Sequence, residues 1–334
     1  MKTLKIYENL NSNIYSNLAI EEYIMTNLAE DTSAFFLWSN SSTVVIGRNQ
    51  NQHKECNLEK MEQDNILLAR RKTGGGAVFH DLGNLNFSYI CNEKENPLEI
   101  LTLIIQYLND NQVPVALSGR NDIVTTADKR KISGVAAMQN GCTCLIHGTL
   151  LVDVDLNKME TYLTVSQKKL KGIPSVKSRV VNITELNPKL TVETVKNGLI
   201  QHIKGQEASS CIQCPLPPEN DYANIEMQYK SFDWNHVTPF SYDHKLQKKY
   251  SWGELELYVQ IKKDTISDLH IFTDSLDYQL IQTIEEQCTN LKLHKIDETF
   301  GKIRETFCGN HTFLWSPQQL DRIMSDIKSM FLYF

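Results

Sequence analysis

The chain has 334 residues, of which 41% are hydrophobic and 22% charged, with only 15 glycines and 9 prolines. This composition excludes a disordered or fibrous chain, and the length favours two domains over one. The formal net charge of −6 disfavours a dedicated nucleic-acid or membrane-surface binder, because such proteins usually carry excess positive charge.

Targeting signals are not evident in the sequence. No apolar run approaches the roughly 18 residues that cross a bilayer. No apolar segment follows Lys2 and Lys5 as it would in a signal peptide. We therefore expect a cytoplasmic protein whose eight cysteines, scattered from Cys56 to Cys308, stay reduced.

In the first part of the chain, short apolar runs alternate with amphipathic stretches, the pattern of a mixed α/β domain. Asn17 is predicted to cap a helix. Residues 34–38 and 43–46 are predicted to be two strands of a hairpin joined by the polar turn 39–42. Further elements are then predicted in this order: strands at 65–70 and 87–91, and a helix at 97–108.

Further along the first part, apolar patterns favour paired strands at 132–138 and 145–152 and a helix at 192–203. A second α/β unit is predicted to start near residue 250, with strands at 254–261 and 265–272 and a helix at 277–291. Residues 205–220 show no periodicity and are predicted to form a loop. The polar stretch 241–249 suggests a boundary, which gives predicted domains 1–244 and 245–334.

The segment 70–81, RRKTGGGAVFHD, is the strongest candidate for a ligand-binding loop. Three successive glycines allow positive φ angles and close backbone approach. Their N–H groups and the three preceding cations would suit a phosphate or a carboxylate. The segment is neither a Walker A loop nor a dinucleotide-binding glycine pattern. The alternative is a tight turn beside a solvated basic strand.

A second cluster combines oxygen donors with a lysine. Asn121 and Asp122 could hold Mg²⁺, which usually takes one or two such ligands together with substrate phosphates. Lys131 precedes an apolar strand, and its ammonium could neutralise a phosphate or a carboxylate. Taken alone, a lysine in this position is more often a surface residue.

Histidine and cysteine side chains offer a different chemistry. His147 is predicted to serve structure or substrate orientation rather than proton transfer, because single histidines are more often packed than catalytic. Cys142 and Cys144 lie just upstream; an accessible thiol of low pKa could form an acyl-enzyme, although buried, inert cysteine is commoner. Cys211 and Cys214 have the spacing of half a zinc site without a second half, so zinc is not expected.

Together these segments resemble the lipoate–protein ligases of the bacterial type. The matching blocks follow the family's order through the catalytic domain and into an accessory C-terminal domain, at residues 36–38, 44–51, 55–57, 70–84, 119–122, 131–134, 147–151, 171–180, 252–253 and 271–276. The resemblance implies an α/β (α+β) fold with a mixed β-sheet flanked by helices, as in biotin and lipoate ligases, and a smaller α/β C-terminal domain.

The resemblance also implies a two-step ligation. ATP with Mg²⁺ would convert (R)-lipoate to lipoyl-AMP, and a specific lysine of an acceptor protein would then take the lipoyl group. The implied acceptors are apo lipoyl domains of 2-oxoacid dehydrogenase E2 subunits and the glycine cleavage H protein, with no nucleic-acid or membrane partner. Whether octanoate competes with lipoate stays open. The alternative function is an octanoyl or lipoyl transferase that forms a thioester on Cys142 or Cys144 of the same scaffold.

By resemblance, the residues expected to contact the nucleotide part of the adenylate are Arg71, Gly76, Ala77, Val78, Phe79 and Lys131. We add Gly75 and Asn121 as nucleotide candidates and Asp122 as the Mg²⁺ candidate. Lys131 is also expected to meet the lipoyl carboxyl oxygen and is the catalytic candidate.

The apolar lipoyl chain needs a dry tunnel, and the candidate wall residues are Trp38, Val44, Gly75, Val78 and His147. Ordinary core packing is the alternative for each of them. The basic residues that could meet an acidic acceptor are Lys168, Lys169, Lys171, Lys177 and Arg179, with a solvated loop as the alternative.

Overall fold

The computed structural model describes residues 3–119, 122–163, 179–206, 210–237, 241–309 and 316–334, without the side chains of residues 11, 12, 308 and 309. Backbone contacts divide the chain into two compact units that interleave along the sequence. The first unit comprises Met1–Ile46, Gln52–Arg71 and Ala77–Asn235, and the second comprises Gly47–Asn51, Lys72–Gly76 and His236–Phe334. The division into domains 1–244 and 245–334 therefore stays a prediction.

The first unit consists of two β-sheets with flanking helices. Its strands are β1 (Thr3–Ser12), β2 (Thr32–Asn40), β3 (Thr43–Ile46), β4 (Leu67–Arg70), β5 (Val78–His80), β6 (Asn84–Asn92), β7 (Val115–Ser118), β8 (Asp122–Thr125), β9 (Lys131–Asn140), β10 (Thr143–Leu151) and β11 (Ser210–Gln213). Its helices are α1 (Ile14–Thr26), α2 (Gln52–Glu55), α3 (Leu58–Gln63), α4 (Glu99–Asp110), α5 (Leu156–Tyr162), α6 (Ile183–Leu186), α7 (Val192–Gln206), α8 (Glu219–Lys230) and α9 (Phe232–Asn235).

Among the described residues, eight strands form the larger sheet in the order β11-β1-β2-β6-β10-β9-β8-β7. The first three run parallel and the other neighbours pair antiparallel. Helix α1 packs over β2, β6 and β10. The central strands are almost entirely buried, which is why they appear in the sequence as continuous apolar runs rather than alternating ones. The predicted pairing of β9 with β10 is confirmed.

The predicted hairpin between residues 34–38 and 43–46 is wrong. Both edges of β2 are already paired, with β1 and β6. Strand β3 leaves that sheet and forms a smaller one, parallel to β4 and antiparallel to β5. The short polar turn between the two strands indicates a change of direction, but it does not specify which partner the second strand pairs with.

The start of the first helix also differs from the prediction. Helix α1 is capped by Asn13, whose side chain accepts a hydrogen bond from the N–H of Tyr15. Asn17 lies one turn inside the helix, where it is buried and donates from Nδ2 to the carbonyl of Ser39 at 3.0 Å. An asparagine suits both positions, because its amide caps helices and also satisfies buried strand carbonyls.

The predicted loop at 205–220 is wrong in part. Strand β11 extends the larger sheet as a parallel neighbour of β1, and helix α8 begins at Glu219. Most residues of β11 are exposed at the sheet edge, so the strand leaves no apolar signal in the sequence. The helices predicted at 97–108 and 192–203 are confirmed as α4 and α7.

The second unit has its own sheet and core. Its elements are β12 (His244–Tyr250), β13 (Gly253–Lys262), β14 (Thr265–Thr273), α10 (Tyr278–Cys288), β15 (Leu291–Lys292), a 3-10 turn at Leu293–Lys295, α11 (Ile296–Gly309) and α12 (Pro317–Phe331). The strands form an antiparallel sheet in the order β12-β13-β14-β15. The polar stretch 241–249, predicted as a linker, contributes most of β12, which is a largely exposed edge strand. None of the described helices is long and apolar enough to cross a membrane.

Candidate active site

A row of paired residues crosses five strands of the larger sheet. Trp38 pairs with Asn86, and Asn86 pairs with Thr149. The hydroxyl of Thr149 accepts a hydrogen bond from the N–H of Gly134 at 3.2 Å, and Gly134 pairs with Asp122. Directly paired residues share one face of a sheet, so this row extends over four strand spacings of about 4.8 Å, or roughly 19 Å in total.

The row joins two parts of the predicted site. Trp38, a candidate lipoyl-pocket residue, stands at one end, and Asp122, the candidate Mg²⁺ ligand, stands at the other. A second row, two residues further along β6, brings Ser88 opposite Phe36 on one side and His147 on the other. Since side chains repeat every two residues along a strand, His147 lies on the same face as Trp38.

The Trp38 end of the row is closed by buried hydrogen bonds. The indole N–H of Trp38 donates to the Ser88 hydroxyl at 2.9 Å, and that hydroxyl donates to a carboxylate oxygen of Glu21 at 2.5 Å. Nδ1 of His147 lies 2.9 and 3.1 Å from the two Glu21 oxygens. All four side chains are buried. Neither Glu21 nor Ser88 was predicted from the sequence as a site residue. An acidic residue in a helix, such as Glu21, is typical of an exposed face.

His80 and Arg71 are two further buried groups whose pKa values are shifted. His80 makes an edge-on ring contact with Trp38, with centroids 5.9 Å apart, and within the described part of the chain neither of its ring nitrogens has a hydrogen-bond partner. Burial, together with the charge of Arg71 and then His147, lowers the pKa of His80 to about 3, so its imidazole is neutral. Burial also lowers the pKa of Arg71 to about 10, against the opposing effect of Glu21.

The two arginines of the segment 70–72 have different environments. Arg70 is fully buried, and its guanidinium donates to the carbonyl of Trp234 at 3.0 Å and to the side chain of Gln52 at 3.1 Å. Arg71 donates to the carbonyl of Val45 at 3.3 Å. Arg70 therefore ties β4 to helix α9 and its surroundings, so it contributes to packing rather than to an anion site.

The three glycines of the loop differ in their surroundings within the second unit. Gly75 has φ +88° and donates its N–H to the carbonyl of Ser275 at 3.0 Å. A Cβ on Gly74 would lie 2.2 Å from the same carbonyl oxygen. A Cβ on Gly76 would meet nothing within 4 Å. The expected positive φ and close approach are present, but the close neighbour is the chain at 275–276.

The residues that follow the glycines enter the small sheet. Ala77 and Val78 are half-buried, whereas Phe79 is fully buried and pairs with Val44. Val44 and Phe79 belong to a hydrophobic cluster with Tyr162. Val44, a pocket candidate, thus takes part in the core packing that was its alternative, and Phe79, a nucleotide candidate, packs in the same cluster.

Lys131 and Asp122 form an ion pair at the open end of the row. Nζ of Lys131 lies 2.8 Å from Oδ1 of Asp122, and the two side chains are 36% and 35% exposed. The ammonium lies over Gly134, where an added Cβ would be 2.8 Å from Nζ. The missing side chain at Gly134 therefore makes room for the cation on the face of the sheet. Asn121, the other candidate here, lies outside the described residues.

The described residues contain no group of three or more histidines, cysteines or acidic residues that could hold a metal ion. Asp122 offers one carboxylate at the row's end. That donor set fits Mg²⁺ when substrate phosphates supply further oxygens, and it does not fit a metal site built from protein ligands alone.

The two candidate thiols have raised pKa values. A hydrogen bond to Glu93, and then that residue's charge, holds the pKa of the exposed Cys142 above its usual range. Burial raises the pKa of Cys144 to about 11. Both shifts favour the thiol over the reactive thiolate. In the basic segment, Arg179 is exposed and the four lysines lie outside the described part of the chain.

Family models and relatives match nearly the whole chain. The model of the lipoyl protein ligase A/B catalytic domain matches residues 13–204, and that of the bacterial lipoate protein ligase C-terminus matches residues 240–312. The curated lipoate-protein ligase A of Blochmanniella floridana is 36% identical over 306 residues, which cover 89% of this chain and 91% of that protein.

Solved structures share the fold. P. falciparum LipL1 in complex with lipoate has a TM-score of 0.81 at 27% identity, covering 98% of this chain and 99% of that one. A lipoate-protein ligase A bound with ATP has a TM-score of 0.60 at 25% identity, covering 70% and 98%. The bi-partite lipoate protein ligase of Thermoplasma acidophilum, described with its E2 lipoyl domain, has a TM-score of 0.63 at 24% identity, covering 72% and 99%.

These similarities confirm the fold expected from the sequence, a mixed sheet flanked by helices with a smaller C-terminal unit. The catalytic-domain model spans more than half of the chain, and the Blochmanniella relative is matched over nearly its full length. The chain therefore belongs to the lipoate–protein ligase A family and is a ligase.

Proposed function

We propose that this ligase activates (R)-lipoate with ATP, releasing pyrophosphate, and then transfers the lipoyl group from lipoyl-AMP to a lysine of an acceptor protein. The observation that carries the proposal is the row from Trp38 to Asp122, which joins a buried pocket end to an open cationic end on one face of the sheet. Its length of roughly 19 Å accommodates an acyl chain followed by a phosphate group.

The buried end suits the acyl group. Lipoate carries an apolar chain and a dithiolane ring, which bind best where water is excluded. Trp38 supplies a large apolar surface and His147 a second wall, and both are buried. Val44, Gly75 and Val78 complete the proposed pocket. Because the indole and imidazole nitrogens are tied to Ser88 and Glu21, their polar atoms need no partner from the ligand.

The open end suits the first chemical step. A lipoate carboxylate oxygen must form a bond to the α-phosphorus of ATP while the bond to the pyrophosphate oxygen breaks, and the two reactants are both anionic. The Lys131 ammonium can neutralise the carboxyl oxygen and the phosphate together. Its pairing with Asp122 is more than a third exposed, so exchanging that partner for substrate costs little.

The nucleotide is proposed to contact a set of residues around the glycine-rich loop and Lys131. This set is Arg71, Gly75, Gly76, Ala77, Val78, Phe79, Asn121 and Lys131. No described atom lies within 4 Å of a Cβ placed on Gly76, so a phosphate could approach Gly76 more easily than Gly74. Asp122 would hold Mg²⁺, which supplies positive charge to the polyphosphate when bound.

The second step needs no covalent enzyme intermediate. The amine of the acceptor lysine attacks the acyl carbonyl carbon, AMP leaves with the bonding electrons, and the amine gives up a proton as the amide forms. We propose apo lipoyl domains of E2 subunits and the glycine cleavage H protein as acceptors. The description of the Thermoplasma ligase together with its E2 lipoyl domain supports this choice.

The alternative, a transferase that uses a cysteine thioester, lacks support. Neither Cys142 nor Cys144 has the lowered pKa of an activated nucleophile. We expect a double Cys142→Ser, Cys144→Ser variant to keep ligase activity.

The deciding experiment incubates the full chain with (R)-lipoate, ATP, Mg²⁺ and an apo lipoyl domain. Release of pyrophosphate and AMP is measured together with the mass of the acceptor, which should increase by one lipoyl group. Acceptor modification from an acyl carrier without ATP, abolished in the double serine variant, would overturn the ligase in favour of the transferase. A matched control without lipoate measures any pyrophosphate release that does not depend on lipoate.

A further inference from the structure

Ser88 occupies a central position in the closed end of the row. It is fully buried on β6, between the indole of Trp38 and the carboxylate of Glu21. Its hydroxyl oxygen accepts from the indole N–H, which can only donate, and its single proton goes to Glu21, whose carboxylate accepts. The direction of both hydrogen bonds is therefore set by the chemistry of the groups.

Glu21 extends this chain to the opposite wall. Its carboxylate also accepts from Nδ1 of His147, at 2.9 and 3.1 Å. Because a carboxylate accepts and does not donate, Nδ1 of His147 carries a proton. One hydrogen-bonded chain, Trp38–Ser88–Glu21–His147, thus orients both proposed walls of the pocket. We call it the Ser88 relay.

We propose that Ser88 is a positioning residue that sets the acyl specificity of the ligase, acting through the Ser88 relay; the inference rests on the proposed function. The relay holds the indole of Trp38 and the imidazole of His147 in fixed orientations on one face of the sheet. Displacing these two rings should weaken binding of a bulky dithiolane ring more than binding of a linear alkyl chain such as octanoate, because a flexible chain adapts to displaced neighbours. Loss of the Ser88 hydroxyl leaves the indole N–H and the Glu21 oxygen without their buried partner, and both groups rearrange to recover one.

The main test compares Ser88→Ala with Ser88→Thr. Alanine removes the hydroxyl, whereas threonine keeps it and is well tolerated in a strand. For Ser88→Ala we expect the KM for lipoate in pyrophosphate release to rise about tenfold, the KM for octanoate to change less than about threefold, and kcat to stay within about threefold. Ser88→Thr should restore the lipoate KM. A residue needed only for folding would instead lower the active fraction, reducing the apparent kcat for both acids equally.

A second variant tests the same inference if Ser88→Ala does not fold. Glu21→Gln keeps the size of the side chain but replaces the carboxylate, which accepts hydrogen bonds from both Ser88 and His147, with an amide. It should move the lipoate-to-octanoate KM ratio in the same direction. An unchanged ratio in either folded variant, or equal KM changes for both acids, would overturn the inference.

A readout without substrate separates this inference from the proposed function. The indole N–H of Trp38 should exchange slowly with deuterium in the wild type and in Ser88→Thr, and at least tenfold faster in Ser88→Ala, because an unbonded N–H exchanges whenever water reaches it. If wild-type enzyme released no pyrophosphate, the proposed function would fail while the exchange data still reported on the relay. If the enzyme were active and the exchange rates equal, the relay would be wrong.

Discussion

The two ends of the row across the larger sheet are built in opposite ways. At the closed end, Trp38, Ser88, Glu21 and His147 satisfy one another's polar atoms out of contact with water. At the open end, Lys131 and Asp122 form an ion pair that is more than a third exposed. A buried hydrogen-bonded chain is expensive to break, whereas an exposed ion pair is worth only about 0–1 kcal/mol.

Under the proposed function, the closed end selects the acyl group and the open end takes part in the adenylation step. A rigid end can discriminate between acyl groups, because its shape persists whether or not substrate is present. An exchangeable end can neutralise charge that moves from carboxylate to phosphate during a reaction, because its cation leaves its resting partner at little cost. The following variants test whether the two ends behave as differently as their structures indicate.

Replacement of Lys131 should have the largest effect. We expect Lys131→Ala to slow pyrophosphate release by about 10²–10³, the usual effect of losing a group that stabilises developing charge. Because the side chain is partly exposed, the free energy of unfolding should change by less than about 0.5 kcal/mol. Steady-state kinetics and urea unfolding measure the two quantities. Wild-type rates in the variant would remove Lys131 from the proposed site.

Two glycines on adjacent strands provide a matched pair for stability. A Cβ on Gly148 would lie 2.6 Å from the ring of the fully buried Phe87 and 2.9 Å from the carbonyl oxygen of Gly134. Gly148→Ala should therefore lower the free energy of unfolding by about 1–3 kcal/mol, since neither neighbour can move away easily.

At the open end, a Cβ on Gly134 would meet only the end of the flexible Lys131 side chain, at 2.8 Å from Nζ. Gly134→Ala should leave the free energy of unfolding within about 0.5 kcal/mol of wild type and reduce pyrophosphate release several-fold by displacing the ammonium. Urea unfolding of both variants checks this contrast. Equal losses of stability would show that the Lys131 side chain does not move away from an added Cβ at Gly134.

The closed end should also respond to pH through His80. Its pKa in the folded protein is about 3, below the ordinary 6.5, so the unfolded chain binds more protons between these values. The stabilisation is complete above about pH 6.5 and is lost as the pH falls toward 3. When the pH is lowered from 7.5 to 5.5, His80 should reduce the free energy of unfolding by about 1.4 kcal/mol. His80→Phe should lose that part of the pH dependence in urea titrations; curves parallel to wild type would show that His80 is not buried as a neutral ring.

A small effect on stability is also expected at Asp122. Asp122→Asn removes one partner of an exposed ion pair, so the free energy of unfolding should change by less than about 1 kcal/mol. If Asp122 is also the Mg²⁺ ligand, the variant should need several-fold more Mg²⁺ for half-maximal pyrophosphate release. An unchanged Mg²⁺ requirement would show that Asp122 is not the Mg²⁺ ligand. A loss of several kcal/mol in the free energy of unfolding would show that the ion pair with Lys131 stabilises the fold.

Several elements could be predicted because their signals are local. Strands β9 and β10 flank a short polar turn, and helices α4, α7 and α10 show apolar residues at helical spacing. The strand pairing of β3 and the edge strands β11 and β12 could not be predicted, because they depend on partners far along the chain or on exposed polar residues. Local pattern does not specify which edge of a sheet is vacant.

The order of residues was enough to indicate the family and to single out the glycine-rich loop and Lys131 as candidates, because these depend on residue types at fixed spacings. It did not reveal the Ser88 relay. Ser88 is 67 positions from Glu21 and 50 from Trp38, and Glu21 is 126 positions from His147. Three strands and one helix must pack before these groups meet. Contacts of such range follow from strand register and burial rather than from any local motif, so the closed end of the site is a property of the folded chain.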